Sequence, residues 1–183
     1  MVSLERAGTP TRFRFLIVLT PLFCGLVCTM LTNIPVSLLG GLVPPPLLAL
    51  VPVYFWCLVR PDLMTPAAAL AIGFAEDVLS GGPPGVWTLS FVLTYALVAR
   101  YRDSFAGLSG LAAVVGFSAS ATFACALAYF IVAALAFLTP GAHLPPIGPS
   151  VSELAMTVIF YAPAVLVVSW LHHKLVGASR GDV

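Results

Sequence analysis

Residues 80–102 read SGGPPGVWTLSFVLTYALVARYR. A turn of glycine and proline with no basic residue leads through Trp87 into an apolar run, which ends at Tyr101 between Arg100 and Arg102. The run from Gly85 to Tyr101 sits at the short limit of the roughly 17–25 residues a helix needs to cross a hydrocarbon core. Tryptophan and tyrosine at its two ends occupy the positions where aromatic side chains gather at membrane–water boundaries. Lysine and arginine collect on the cytoplasmic side of membrane proteins. Arg100 and Arg102 therefore mark an inner end, and the turn before Trp87 an outer one.

The same grammar extends to both ends of the chain. Its eight Lys and Arg residues fall in four places. Arg6, Arg12 and Arg14 precede the first apolar stretch and Arg60 ends the second, while Lys174 and Arg180 follow the last. The gaps at 32–43, 80–86 and 139–149 hold none. The expected fold is an all-α integral membrane protein, a six-transmembrane-helix bundle with both termini cytoplasmic. One membrane domain covers residues 1–183. Crossings are expected at about 13–31, 42–59, 63–80, 85–101, 109–137 and 151–173. A cytoplasmic segment, 1–12, precedes them and a cytoplasmic tail, 174–183, follows.

Composition agrees. Hydrophobic residues make up 60% of the chain and charged ones 8%, against about 45–50% and about 25% in soluble domains. A net charge of +1 points to no nucleic-acid partner. The first apolar run exceeds the roughly 7–15 residues of a signal peptide and no A-x-A-like site follows it, so it reads as a retained anchor. Cys24, Cys28, Cys57 and Cys125 lie inside apolar stretches without His or carboxylate company, which suits neither disulfides nor a metal site. No cofactor is implied.

Individual crossings carry their own irregularities. Pro44-Pro45-Pro46 cannot continue a helix, so the second crossing is expected to become regular near Pro46 after an irregular outer approach. Tyr54 and Trp56, near its inner end, suit the aromatic belt. Arg60-Pro61-Asp62 makes a tight inner turn. The fifth crossing is too long for a perpendicular span and is expected to extend toward Gly141.

Small residues recur every four positions in two stretches. They are Ala112, Gly116, Ser120, Ala124 and Ala128 in the fifth crossing, and Thr65, Ala69, Gly73, Asp77 and Gly81 in the third. Such stripes let another backbone come close, which is how helices associate where lipid supplies no hydrophobic drive. The approaching helix belongs either to the same bundle or to another membrane protein.

Glu76-Asp77 is the acidic pair within an apolar stretch. A carboxylate at the bilayer centre costs roughly 2.5–3.5 kcal/mol on insertion scales, so it needs a reason to be there. Adjacent helical residues point about 100° apart. Asp77, on the stripe, is expected to face the bundle, and Glu76 to reach toward the outer headgroups. Three readings stay open: polarity near a helix end, a hydrogen-bonding lock, or proton or substrate chemistry.

Ser150-Val151-Ser152-Glu153 has the S-x-x-E form of a capping box and is expected to cap the sixth crossing; alternatively, Glu153 meets Asp77 in an aspartyl-type dyad. His172 and His173, beside Lys174, are expected in solvent or at the interface, and His143 alone in an outer loop. Ser80 to Gly85 is the densest turn segment, in which glycines allow positive φ, and Trp87 follows it at the outer interface.

Three groups of these residues, in order, resemble the rod shape-determining protein MreD family. They are Tyr54-Phe55-Trp56-Cys57-Leu58-Val59-Arg60-Pro61, then Gly73-Phe74-Ala75-Glu76-Asp77-Val78-Leu79, then Gly81 and Gly85. The resemblance covers about residues 52–100 and departs at Gly82-Pro83-Pro84. It implies a non-enzymatic inner-membrane scaffold of the bacterial cell-elongation machinery, supporting side-wall peptidoglycan synthesis and rod shape. The implied partners are MreC and, directly or indirectly, MreB, RodA and a peptidoglycan transpeptidase. That family resembles in fold the substrate-binding subunits of energy-coupling-factor transporters, so a vitamin-type transport subunit is the alternative. Such a subunit needs converging polar groups, for which Glu76, Asp77, Thr94, Ser118, Ser120 and Thr122 are the candidates. An intramembrane protease fits less well. Asn33 is the sole asparagine and the three histidines lie outside the expected bundle.

Overall fold

The computed structural model describes residues 11–34, 44–108, 110–139 and 143–175. Among them lie seven helices and no strand. They are α1 (Thr11–Thr32), α2 (Leu50–Val59), α3 (Pro66–Ser80), α4 (Val86–Arg100), α5 (Arg102–Ala106), α6 (Leu111–Leu138) and α7 (Ile147–Leu175). Two of them, α6 and α7, are long and apolar enough to cross a membrane. At 15 residues each, α3 and α4 fall short of the usual span, and α2 has only 10, about 15 Å of helix.

Proline placement explains where the helices begin. Pro52 is the third residue of α2 and Pro149 the third of α7. In a first turn the missing N–H has no intrahelical acceptor to lose, whereas deeper in a helix the ring clashes with the carbonyl four residues back. Pro52 thus falls in the first turn of α2, which begins at Leu50, later than the start near Pro46 read from the sequence, whereas Pro21 and Pro163 lie deep inside α1 and α7. Pro149 permits α7 to begin at Ile147, earlier than expected. Pro66 opens α3 beside Thr65, whose side chain accepts from the Ala68 N–H at 3.2 Å. The short α5 was not foreseen. Gly141, toward which the fifth crossing was extended, lies outside the described residues.

Helix directions follow from contacts near the ends. Asn33 reaches Glu76, placing the C-terminal ends of α1 and α3 together. Leu47, ahead of α2, bonds Thr157 in α7, while Trp56 near the end of α2 meets His172 near the end of α7. Tyr95 in α4 donates to the Met64 carbonyl, and Phe105 in α5 packs edge-on against Tyr54. The long helices thus alternate in direction. Arg60, Arg100, Arg102 and Lys174 all lie toward one end of the bundle, and Glu76, Asp77 and Glu153 toward the other.

Helix α2 is the centre. Leu50, Val51, Val53, Tyr54, Trp56 and Cys57 are all buried, the pattern of a helix apolar all round and enclosed by others. This corrects the belt assignment of Tyr54 and Trp56, which are core residues. His172 is corrected likewise: it is 3% exposed, because α7 stays regular past it and turns it onto Phe55 and Trp56. On the outside, α6 and α7 carry Val115, Phe130, Ile159, Leu166 and Val167 exposed.

The lead-in before α2 is non-helical, and Leu47 and Ala49 in it are buried. Buried backbone needs partners. Thr32 donates to the Pro46 carbonyl at 3.2 Å, and Thr157 accepts from the Leu47 N–H at 2.9 Å.

Candidate functional site

The sequence candidates Gly73, Asp77, Gly81, Gly85 and Trp87 converge at one place, the junction of α3 with α4. Asp77 is buried one turn before the end of α3. Its Oδ1 accepts from the Trp87 N–H at 2.8 Å, and its Oδ2 from the N–H groups of Gly85 (2.9 Å) and Thr88 (3.0 Å). The Thr88 hydroxyl donates to the same Oδ2 at 2.5 Å. These are the first amides of α4, whose capping position is Gly85 and so lacks a side chain to serve them. First-turn N–H groups have no partner within their own helix, and a negative charge is stabilised there by the helix dipole. Asp77 thus caps the following helix from the preceding one, which is the hydrogen-bonding lock among its three readings.

The lock requires close approach. A Cβ at Gly73 would lie 2.7 Å from the Thr88 Cα and 2.8 Å from the Trp87 carbonyl oxygen, both backbone atoms that cannot swing aside. The absent side chain therefore admits α4 one turn below the carboxylate. Gly81 (φ 67°) and Gly85 (φ 94°) close the turn in the left-handed region, where a Cβ meets the following carbonyl. Trp87 is half-buried and packs on Phe91 at 6.2 Å.

Glu76 does not reach outward as expected. It is 3% exposed, and its Oε1 accepts from the Asn33 amide at 2.9 Å, while Oε2 has no hydrogen-bond donor within reach among the described residues. Asn33 also donates to the Thr29 carbonyl at 3.0 Å, so the carboxylate is tied to the last turn of α1. On α3, Glu76 faces α1 and Asp77 faces α4.

The capping box is overturned. Ser150 and Glu153 lie inside α7, fourth and seventh from its start at Ile147. Asp77 and Glu153 form no dyad, since both Asp77 oxygens serve the hairpin. Glu153 instead borders a cavity of about 250 Å³ between the hairpin, α6 and α7, walled also by Pro83, Trp87, Tyr129, Pro145 and Pro149.

The α6 stripe faces its own bundle. Gly116, Ser120, Ala124 and Ala128 are buried, and Ala112 alone is exposed. A Cβ on Gly116 would stand 2.8 Å from the Tyr54 hydroxyl and 2.8 Å from Leu108 Cδ1. That contact removes this stripe as a free docking face. Ser118, Ser120, Thr122 and Thr94 each donate to the carbonyl four residues back in their own helix. Their hydroxyls converge on no site.

Thr88, Asn33, Thr32 and Thr157 were not singled out from the sequence. Thr88 had a usable signal: it follows a side-chain-free cap and is the third residue of the next helix. The other three bond to distant residues, which nothing in local pattern reveals. Comparison with known proteins gives no matching family model, no matching curated protein and no matching solved structure.

Proposed function

We propose that the chain is a non-enzymatic scaffold of the MreD family in the bacterial inner membrane, crossing six times with both termini cytoplasmic. Its role is to hold partners such as MreC within the cell-elongation complex. The observation that carries this reading is the use of Asp77. Its two oxygens take four hydrogen bonds from the chain's own hairpin, so the most conspicuous acidic residue of the resemblance serves architecture. The gathering of Arg60, Arg100, Arg102 and Lys174 at one end supports the orientation, and the exposed apolar flanks of α6 and α7 suit lipid and partner helices. Helices α2 to α4 are each below the usual length; α2 is enclosed by its neighbours, while α3 and α4 turn Leu70, Phe74, Val78, Leu89 and Leu93 outward, as lipid-facing flanks would.

The transport alternative is less well supported. Drug-sized ligands occupy pockets of about 300–1,000 Å³ with converging polar groups, whereas the hydroxyls here turn back on their own helices.

Co-purification from gently solubilised membranes tests the scaffold reading. The tagged chain should retain MreC, and its depletion should round rod-shaped cells. Retention of a transporter's energising subunits instead of MreC would overturn it. Reporter fusions after Gly8, Gly41, Asp62, Gly82, Asp103, Gly141 and Gly177 should alternate in, out, in, out, in, out, in. Two neighbouring fusions on one side would break the six-crossing topology.

A further inference from the structure

We propose that the cavity beside Glu153 binds an organic ammonium group on a short apolar stem, with Glu153 as counter-ion and Trp87 and Tyr129 as aromatic walls. Glu153 is partly buried, yet its carboxylate has neither ion pair nor hydrogen bond among the described residues. Removing a carboxylate fully from water without a partner costs several kcal/mol per ion, and the partial burial of Glu153 imposes a share of that cost. The chain supplies no described cation to offset it. Lys174 is on the same helix but about 31 Å along it, and Arg100 lies about 20 Å along α4 from Trp87, at about 1.5 Å rise per residue. His143 is exposed and is not part of the cavity wall.

The wall selects the sign of the ligand. Pro83, Pro145, Pro146 and Pro149 line it, and proline has no N–H, so at these positions the backbone offers no donor. An anion would find repulsion from Glu153 and few donors; an ammonium finds a carboxylate and the aromatic side chains of Trp87 and Tyr129. The Tyr129 hydroxyl donates to the Pro145 carbonyl at 3.3 Å, tying its ring to the wall. Cations over aromatic faces gain roughly 0.5–2 kcal/mol, the larger value when desolvated. The volume of about 250 Å³ is enough for a headgroup-sized ion. The source of such an ion is either a phosphatidylethanolamine headgroup, which rests on the membrane reading above, or a free alkylamine, which does not.

The test uses the full chain in nanodiscs of phosphatidylglycerol, titrated with n-butylammonium chloride or with n-butanol while thermal unfolding is followed. The expected result is a saturable rise in Tm with butylammonium and none with butanol. Glu153→Gln should weaken the apparent affinity at least tenfold, and Trp87→Phe several-fold. Repetition in phosphatidylethanolamine nanodiscs separates the sources. A higher starting Tm with no further rise assigns the site to the lipid headgroup, and an unchanged rise assigns it to a free amine. No saturable effect, an equal effect of butanol, or unaltered binding by Glu153→Gln overturns the proposal. Should Glu153→Gln fail to fold, the comparison of butylammonium with butanol on the unaltered chain decides alone. Retention of the chain in the nanodisc reports on the membrane reading separately.

Discussion

Gly73 and Asp77 stand one turn apart on α3 and act on the same two residues of α4. Gly73 leaves room for the backbone of Trp87 and Thr88, and Asp77 accepts their N–H groups. Contact and bond depend on each other: without the close approach the carboxylate falls short, and without the carboxylate the first amides of α4 lose their acceptor.

All four donors to Asp77 point at it, so Asp77→Asn cannot match the native carboxylate. Its single oxygen, placed at Oδ2, keeps the Gly85 and Thr88 bonds and sets an NH2 against the Trp87 N–H. The expected loss is about 1–3 kcal/mol, the cost of one unsatisfied buried group, and Asp77→Leu should lose more. Thermal unfolding in detergent should rank wild type above Asn above Leu. Equal stability of all three would dispose of the lock.

Gly73→Ala and Gly81→Ala should both destabilise, for different reasons. The first forces a methyl into backbone and is expected to cost about 1–3 kcal/mol through overpacking. The second meets open space and pays only the left-handed strain, about 1–2 kcal/mol. Combined with Asp77→Asn, Gly73→Ala should be less than additive, because residues in one network couple. Gly81→Ala should come closer to additivity. A double-mutant cycle measures the difference.

Glu76→Gln is expected to be neutral or stabilising. It keeps an oxygen for Asn33 and removes a buried charge, whose pairing often fails to repay its desolvation. Asn33→Ala removes the amide that donates to the carboxylate and should cost on the order of 1–3 kcal/mol. Chemical denaturation of the two variants checks the asymmetry; a larger loss in Glu76→Gln would give the carboxylate a role beyond this contact.

Gly116→Ala tests the α6 stripe. The added methyl meets Tyr54, Leu108 and Phe105, so stability and cellular abundance should fall together, by about 1–3 kcal/mol. Val115→Ala, on the exposed side, should be nearly silent in both measurements. Loss of a partner at unchanged stability would return the stripe to an intermolecular role.

At the opposite end Arg60 pairs with Asp62 through two bonds of 2.8 and 3.0 Å. The guanidinium hydrogen bond holds the Asp62 carboxyl below its ordinary value of 3.8. A lowered folded-state pKa contributes stability above the unfolded value and loses it as pH falls through the folded one. Asp62→Asn should therefore cost something at neutral pH and nothing once pH is well below 3.8. The pair is half-exposed, so the effect is at most about 1 kcal/mol and should fade in high salt. Melting curves across pH at two ionic strengths would show it.

How far the sequence could be read depended on whether a signal was local. Asp77 stood out because a charge in an apolar stretch demands a partner, and the glycines around it marked where that partner could approach. Gly73, Gly81 and Gly85 joined it in space because all lie within the same short hairpin. Glu76 misled because its partner, Asn33, is 43 positions away and no periodicity connects them. Tyr54, Trp56 and His172 misled because belt and core aromatics look alike until the enclosing helices are placed. Ser150 and Glu153 met a capping pattern, yet the proline ahead of them was already inside the helix.

The bond from the Leu47 N–H to Thr157 joins positions 110 residues apart. The lead-in to the central helix is therefore incomplete until the last helix exists. At translation rates of about 5–20 residues per second, that leaves an interval of about 5–20 s during synthesis in which a buried amide has no acceptor. During that interval the nascent chain needs another acceptor for that amide, such as water. A chain released before residue 157 would leave the centre of the molecule unlatched, making the C-terminal helix the closing piece of assembly.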